Sequence, residues 1–222
     1  MSNTTDPRLQ AWISHIFDHP VAEDIRKAWY WAEDAPTWEG TWEDVPTLIA
    51  ERFERSWELL EEFSDAALDQ GFWFLVGSSP EDFRDSLLDS RIPMSARVRA
   101  IASFTPLFEQ VMVARCSENL SHLDAEASVL NGSCYMWWDL LWYALRHDLE
   151  DLPIASEIHA ALRRQLTMPH DACRESALHG IGHWVKTFPD MAHLVDEFLA
   201  ANPGIRPELV AYAAQAKIGR VL

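Results

Sequence analysis

Asp171-Ala-Cys-Arg-Glu-Ser-Ala-Leu-His-Gly-Ile-Gly-His-Trp-Val-Lys186 carries the clearest packing pattern in the chain and its best ligand spacing. Wound at about 3.6 residues per turn, it places Ala177, Leu178, Ile181, Trp184, Val185 and Phe188 on one side. Glu175, His179, Gly182, His183 and Lys186 fall on the other. The pattern predicts an amphipathic helix, with Asp171 capping its start, Glu175 in the first turns where the helix dipole favours an anion, and Pro189 ending it. A second apolar helix is expected from Met191 to Ala201. Working outward, the apolar residues keep recurring at threes and fours and no convincing strand appears, so the fold class is all-α.

Glu175, His179 and His183 recur at i, i+4 and i+8 and therefore stack along one helix face. Two neutral imidazoles and a carboxylate so placed are a ligand set for one divalent metal ion, zinc or iron. The same stripe also describes the solvated face of a surface helix. His170 and Asp171, one turn earlier, are candidates for a fourth ligand, whereas Cys173 falls on the apolar side. Gly180 and Gly182 each cost about 1 kcal/mol relative to alanine inside a helix, and glycine is kept there where a neighbour or ligand must come close.

A chain of 222 residues, 48% of them hydrophobic, builds one large domain or two small ones. Its three cysteines, Cys116, Cys134 and Cys173, lie far apart and form no C-x-x-C, which suits a reducing compartment. Residues 1–7 have neither a basic nor an apolar leader segment, and no apolar run reaches membrane-spanning length, so a soluble, cytoplasmic protein is expected. The net charge of -17 is uneven: residues 1–90 hold 20 acidic against 6 basic side chains, and residues 91–222 hold 15 against 12. Such a field repels nucleic acid and anionic membrane and speeds encounter with a basic protein partner.

That asymmetry suggests an acidic, Trp-rich helical part over 1–90 and a second part over 91–222. Seven of the eleven tryptophans (12, 29, 31, 38, 42, 57 and 73) sit in the acidic part. The loop Glu33-Asp-Ala-Pro-Thr-Trp-Glu-Gly-Thr-Trp42 and the residues after it offer Trp38, Glu39, Trp42, Glu43 and Asp44 as a partner-binding surface. Around this loop, helices are expected over Pro7–Phe17, capped by Asp6, from near Ala22 through Trp31, over Asp44–Phe63 as one long helix, over Ser64–Val76 and over Glu81–Leu88. Beyond Pro93 the pattern becomes helix pairs: Met94–Cys116 kinked at Pro106, Asn131–Arg146, Ala155–Leu166, the histidine helix and its successor, and Arg206–Gly219. Cys134-Tyr-Met-Trp-Trp-Asp-Leu-Leu-Trp-Tyr143 is apolar almost all round, which marks a buried helix or the lining of an apolar small-molecule pocket.

Asp171 to Leu199 resembles a HEAT-type helical hairpin, and about three such hairpins fit between Pro93 and Leu222. The resemblance, shared with uncharacterised bacterial HEAT-like proteins, covers a little over half the chain and implies an α-solenoid scaffold over 91–222 but no activity. Trp137-Trp138-Asp139 also resembles the Trp-Trp-Asp stretch of the HEAT-like alkylpurine DNA glycosylases. That family's catalytic aspartate lies three residues further on, where this chain has Trp142, so the resemblance does not carry glycosylase chemistry with it. H-E-x-x-H, G-x-S-x-G, a phosphate-cradling glycine loop and a dinucleotide fingerprint are all missing. The leading expectation is a non-enzymatic module, needing no cofactor, that binds a basic partner as an adaptor, inhibitor or immunity-type protein. The alternatives are a metal-dependent hydrolase on Glu175, His179 and His183, and a small-molecule binder.

Overall fold

The computed structural model describes residues 6–76, 83–123, 127–139 and 152–221, and these residues are helical with no strand among them. None of their helices is long and apolar enough to cross a membrane. The first helix, Pro7–Phe17, starts as expected, with the Asp6 carboxylate accepting from the Arg8 N–H at 2.9 Å. Its apolar face, Leu9, Trp12, Ile13, Ile16 and Phe17, is buried. The buried Gln70 side chain then pins the following chain by accepting from Ala22 N and donating to the Pro20 carbonyl. Instead of a helix from Ala22, two single turns form, Ile25–Lys27 and Trp29–Trp31.

The expected long helix over Asp44–Phe63 is two helices, Val45–Phe53 and Trp57–Glu62. At the break, Ser56 Oγ donates to the Pro106 carbonyl and the Trp57 N–H to Gln110 Oε1, so polar groups of a distant segment replace helical partners. At the break Trp57 is turned outward, to 47% exposure. The predicted kink at Pro106 is present: the run Met94–Ala102 gives way to Phe104–Leu107, a widened π turn over Phe108–Met112, and Val113–Arg115.

Buried residues on both sides of residue 90 form one hydrophobic cluster. The Trp137 ring is its crossing point, meeting Phe53 and Phe72 from one side and Phe104 and Phe108 from the other at centroid distances of 5.2 to 6.2 Å. Trp137 and Trp138 fill the core rather than line an apolar pocket. Residues 140–151, which include the rest of that apolar stretch and Trp142, lie outside the described residues, as do the expected helix start at Glu81 and Asp82.

The helix Asp171–Trp184 is central, packed against Asn131–Tyr135, Leu152–Leu166 and Pro207–Ala216. Only Asp171, Arg174 and His183 of its residues escape burial, so it is not the amphipathic surface helix that its pattern suggests. Small residues explain the difference. A methyl group at Gly180 would sit 2.7 Å from Trp138 Cγ, and one at Gly182 would sit 2.4 Å from Val221 Cγ1, so neighbours occupy the space on the supposed polar face. Asp171 does not cap the helix: its carboxylate pairs with Arg174, and Glu118 from a distant segment accepts its N–H at 2.6 Å.

Asp69, on the helix Asp65–Val76, is an acidic group whose titration the fold displaces upward. Burial pushes its carboxyl from 3.8 to about 6, with hydrogen bonds to Ser133 and Trp73 pulling the other way. A carboxyl raised in the fold favours folding while protonated, so this contribution is present below pH 4 and is lost as pH rises through about 6. Two units correspond to a loss on the order of 3 kcal/mol. Asp69→Asn is therefore expected to match the parent near pH 4, to exceed it increasingly up to about pH 7 and to keep a constant margin above that in urea denaturation; a difference independent of pH would contradict this.

Candidate metal centre

His179 and His183 sit one turn apart on the central helix and point the same way, as their spacing requires. Their carboxylate partner is Asp139. Asp139 follows Trp138, whose indole lies against Gly180 and donates from Nε1 to Gln165 Oε1 at 2.9 Å. Gln165 in turn donates to the Cys173 carbonyl of the central helix. Held at both ends, Trp138 delivers the next residue to the imidazoles. His179 Nε2 and His183 Nε2 each lie 3.0 Å from Asp139 Oδ1 and 3.0 Å from one another. The three atoms form an equilateral face, and these residues are the group among the described ones whose atoms are spaced to hold a metal ion.

Burial alone would raise the Asp139 carboxyl, but the His179 and His183 imidazoles beside it outweigh this and hold it at about 2. His179 is fully buried, while His183 and Asp139 keep 17% and 15% of their side chains exposed, so water reaches one side of the face. Behind it, His179 Nδ1 lies 2.8 Å from the Tyr212 hydroxyl, which lies 2.8 Å from the Tyr135 hydroxyl. Burial raises both phenols, which therefore stay protonated. A cleft of about 530 Å³ opens along Tyr135, Tyr212, His122 and Arg220.

Glu175 does not join the two histidines. It is fully buried and accepts from the Ser121 N–H at 2.8 Å, the His122 N–H at 3.3 Å and the His122 ring nitrogen Nδ1. Two turns of helix from His183 and lacking solvent, its carboxyl is satisfied by donors from residues 121–122 rather than by the site. His170 and Asp171 are not fourth ligands either: the His170 Nε2 donates to the Cys116 carbonyl at 3.2 Å, and Asp171 is bound to Arg174. The Ser176 hydroxyl, three residues before His179, donates to the Cys134 carbonyl at 2.6 Å. All three cysteines are buried and free, with Cys173 on the side of the helix facing Cys134.

The proposed partner surface divides in a different way. Trp38 and Trp42 are half-buried against the core, beside Trp12 and Val45, and Asp44 pairs with Arg8 at 3.0 Å. Glu39 and Glu43 are exposed. Among the described residues, the tryptophans open to solvent are Trp31 and Trp57.

Comparison with known protein families, curated proteins and solved structures yields no match to this chain. The site is therefore read from its own geometry. Asp139 and Tyr212 are not among the site residues that the sequence suggests. The available signal was Asp139 itself, a lone carboxylate in an otherwise apolar run, placed beside the quoted Trp-Trp pair.

Removing the Glu175 carboxylate leaves the part-buried N–H groups of Ser121 and His122 without their acceptor, each costing about 1–2 kcal/mol. Glu175→Ala is expected to lower unfolding stability by about 2–4 kcal/mol, with Glu175→Gln, which keeps an acceptor oxygen, losing less. Chemical denaturation of the three proteins measures this; equal stability of Glu175→Ala and parent would remove Glu175 from the list of structural supports.

Proposed function

We propose that the chain is a metal-dependent enzyme acting through one divalent ion bound by Asp139, His179 and His183. A single observation carries this reading: three ligand atoms in mutual contact at 3.0 Å. Hydrogen atoms on the two Nε2 atoms satisfy at most two of the three contacts, because each N–H points one way and the carboxylate only accepts. The third contact then sets lone pair against lone pair or proton against proton. A cation over the face satisfies all three.

Two imidazoles and one carboxylate gathered in this way would hold one divalent ion, zinc, iron(II) or manganese(II). Activation of an ion-bound water is the simplest chemistry that this set supports, and hydrolysis is the reaction class we assign. The expected ion is one per chain, in protein purified without tag or chelator. Asp139→Ala, His179→Ala and His183→Ala should each lose it, and the parent should gain about 2.7 kcal/mol of stability at a hundredfold excess of ion over Kd. A parent chain that neither contains metal nor gains thermal stability on titration with iron(II), manganese(II) or zinc rules the reading out.

A second reading rests on a different observation. Trp31 and Trp57 are 49% and 47% exposed on the part of the chain that carries most of the acidic excess. Exposed aromatics in a negative field suit a basic protein partner, with the helix pairs beyond Pro93 as a HEAT-like scaffold.

A further inference from the structure

We propose that Tyr212 is the positioning residue of the metal centre and that Glu175 acts on the centre through His122 and Tyr212. The proposal rests on the metal reading above. An imidazole offers Nε2 to an ion only when its proton is on Nδ1, so whatever partners Nδ1 chooses the tautomer. For His179 that partner is the Tyr212 hydroxyl, at 2.8 Å. A phenol has one proton and two lone pairs. With its proton given to the Tyr135 oxygen, 2.8 Å away, Tyr212 accepts from Nδ1–H and leaves the Nε2 lone pair to the ion or, with no ion bound, to the His183 Nε2–H, 3.0 Å away. Were the direction reversed, the proton would sit on Nε2, where the ion must be.

The position of the Tyr212 ring is set from the opposite side. His122 stacks on it at 4.3 Å and 27°, and Tyr135 lies against the His179 ring at 4.2 Å. His122 is held by Glu175, which takes its backbone N–H and its ring Nδ1, while taking the Ser121 N–H as well. Glu175 and His179 thus share one helix, and the carboxylate supports the imidazole by a route that leaves the helix: Glu175 to His122, to Tyr212, and back to His179. This gives the i, i+4 acidic residue a role at the centre without making it a ligand.

The test uses the full chain with Tyr212→Phe, Tyr135→Phe and Glu175→Gln. Two quantities are read: cobalt(II) affinity by titration, and the nitrogen that carries the proton on His179, by NMR of the ¹⁵N-labelled, metal-free protein. In the parent the His179 proton is expected on Nδ1. Tyr212→Phe is expected to lose that preference and to bind cobalt(II) about 10–100-fold more weakly. Tyr135→Phe and Glu175→Gln should shift both readouts in the same direction by less. A parent with the proton on Nε2, or a Tyr212→Phe chain with unchanged tautomer and affinity, overturns the proposal. If Tyr212→Phe fails to fold, unchanged readouts in Tyr135→Phe and Glu175→Gln together overturn it as well. If cobalt(II) does not bind the parent at all, the metal reading falls, and the tautomer arm still decides whether Tyr212 orients His179.

Discussion

The contact between the Trp138 indole and the backbone of Gly180 is the constraint on which the rest of the molecule depends. Trp138 Cγ and Cβ occupy space within 3 Å of where any side chain at 180 would begin, so this approach exists only for glycine. Gly180 directly follows His179, and Asp139 directly follows Trp138. One close approach therefore sets the register of the carboxylate against the imidazole, and nothing in either helix alone would do so. On the other flank Trp137 is enclosed by Phe53, Phe72, Phe104 and Phe108, so the turn carrying Asp139 is anchored in aromatic packing that spans the acidic and the near-neutral parts of the chain.

The same economy of contact appears in the polar interior. The buried Asn131 side chain accepts from the Ser117 N–H and Ser128 hydroxyl and donates to the carbonyls of Ser117 and Asn119, closing an irregular segment that helices cannot satisfy. That segment runs on to Ser121 and His122, which Glu175 receives. A loop without secondary structure is thereby fixed to the central helix by donor and acceptor matching. It can hold a histidine ring against Tyr212 within ordinary stacking distance.

Charge and burial act at different places. The acidic excess lies on exposed side chains such as Glu33, Glu39 and Glu43, where water screens it, and it governs encounter rather than fold. Two charges that go inside are matched: Arg52 is buried and faces Glu58 and Glu62, and Asp139 faces two imidazoles. The loop tryptophans follow the same division. Trp38 and Trp42 turn inward because Trp12 and Val45 offer them apolar surface, which leaves Trp31 and Trp57 outside.

Helix existence was legible in the amino-acid sequence, because apolar periodicity and caps such as Asp6 are local properties. Asp65–Val76, Leu152–Leu166 and Ala192–Ala201 lie close to where periodicity puts them. The pairing of His179 with His183 was legible for the same reason, since a spacing of four along a helix needs no partner to bring the rings together. The third member was not. Glu175 shares the face by periodicity but is drawn to Ser121 and His122, while Asp139 arrives from forty residues away through the Trp138–Gly180 contact. The break at Glu54–Ser56 was hidden likewise, because Gln110 and Pro106 supply its hydrogen bonds from a distant segment. Short-range geometry is written in spacing, but the choice among carboxylates is made by long-range packing, and only the tertiary structure contains it.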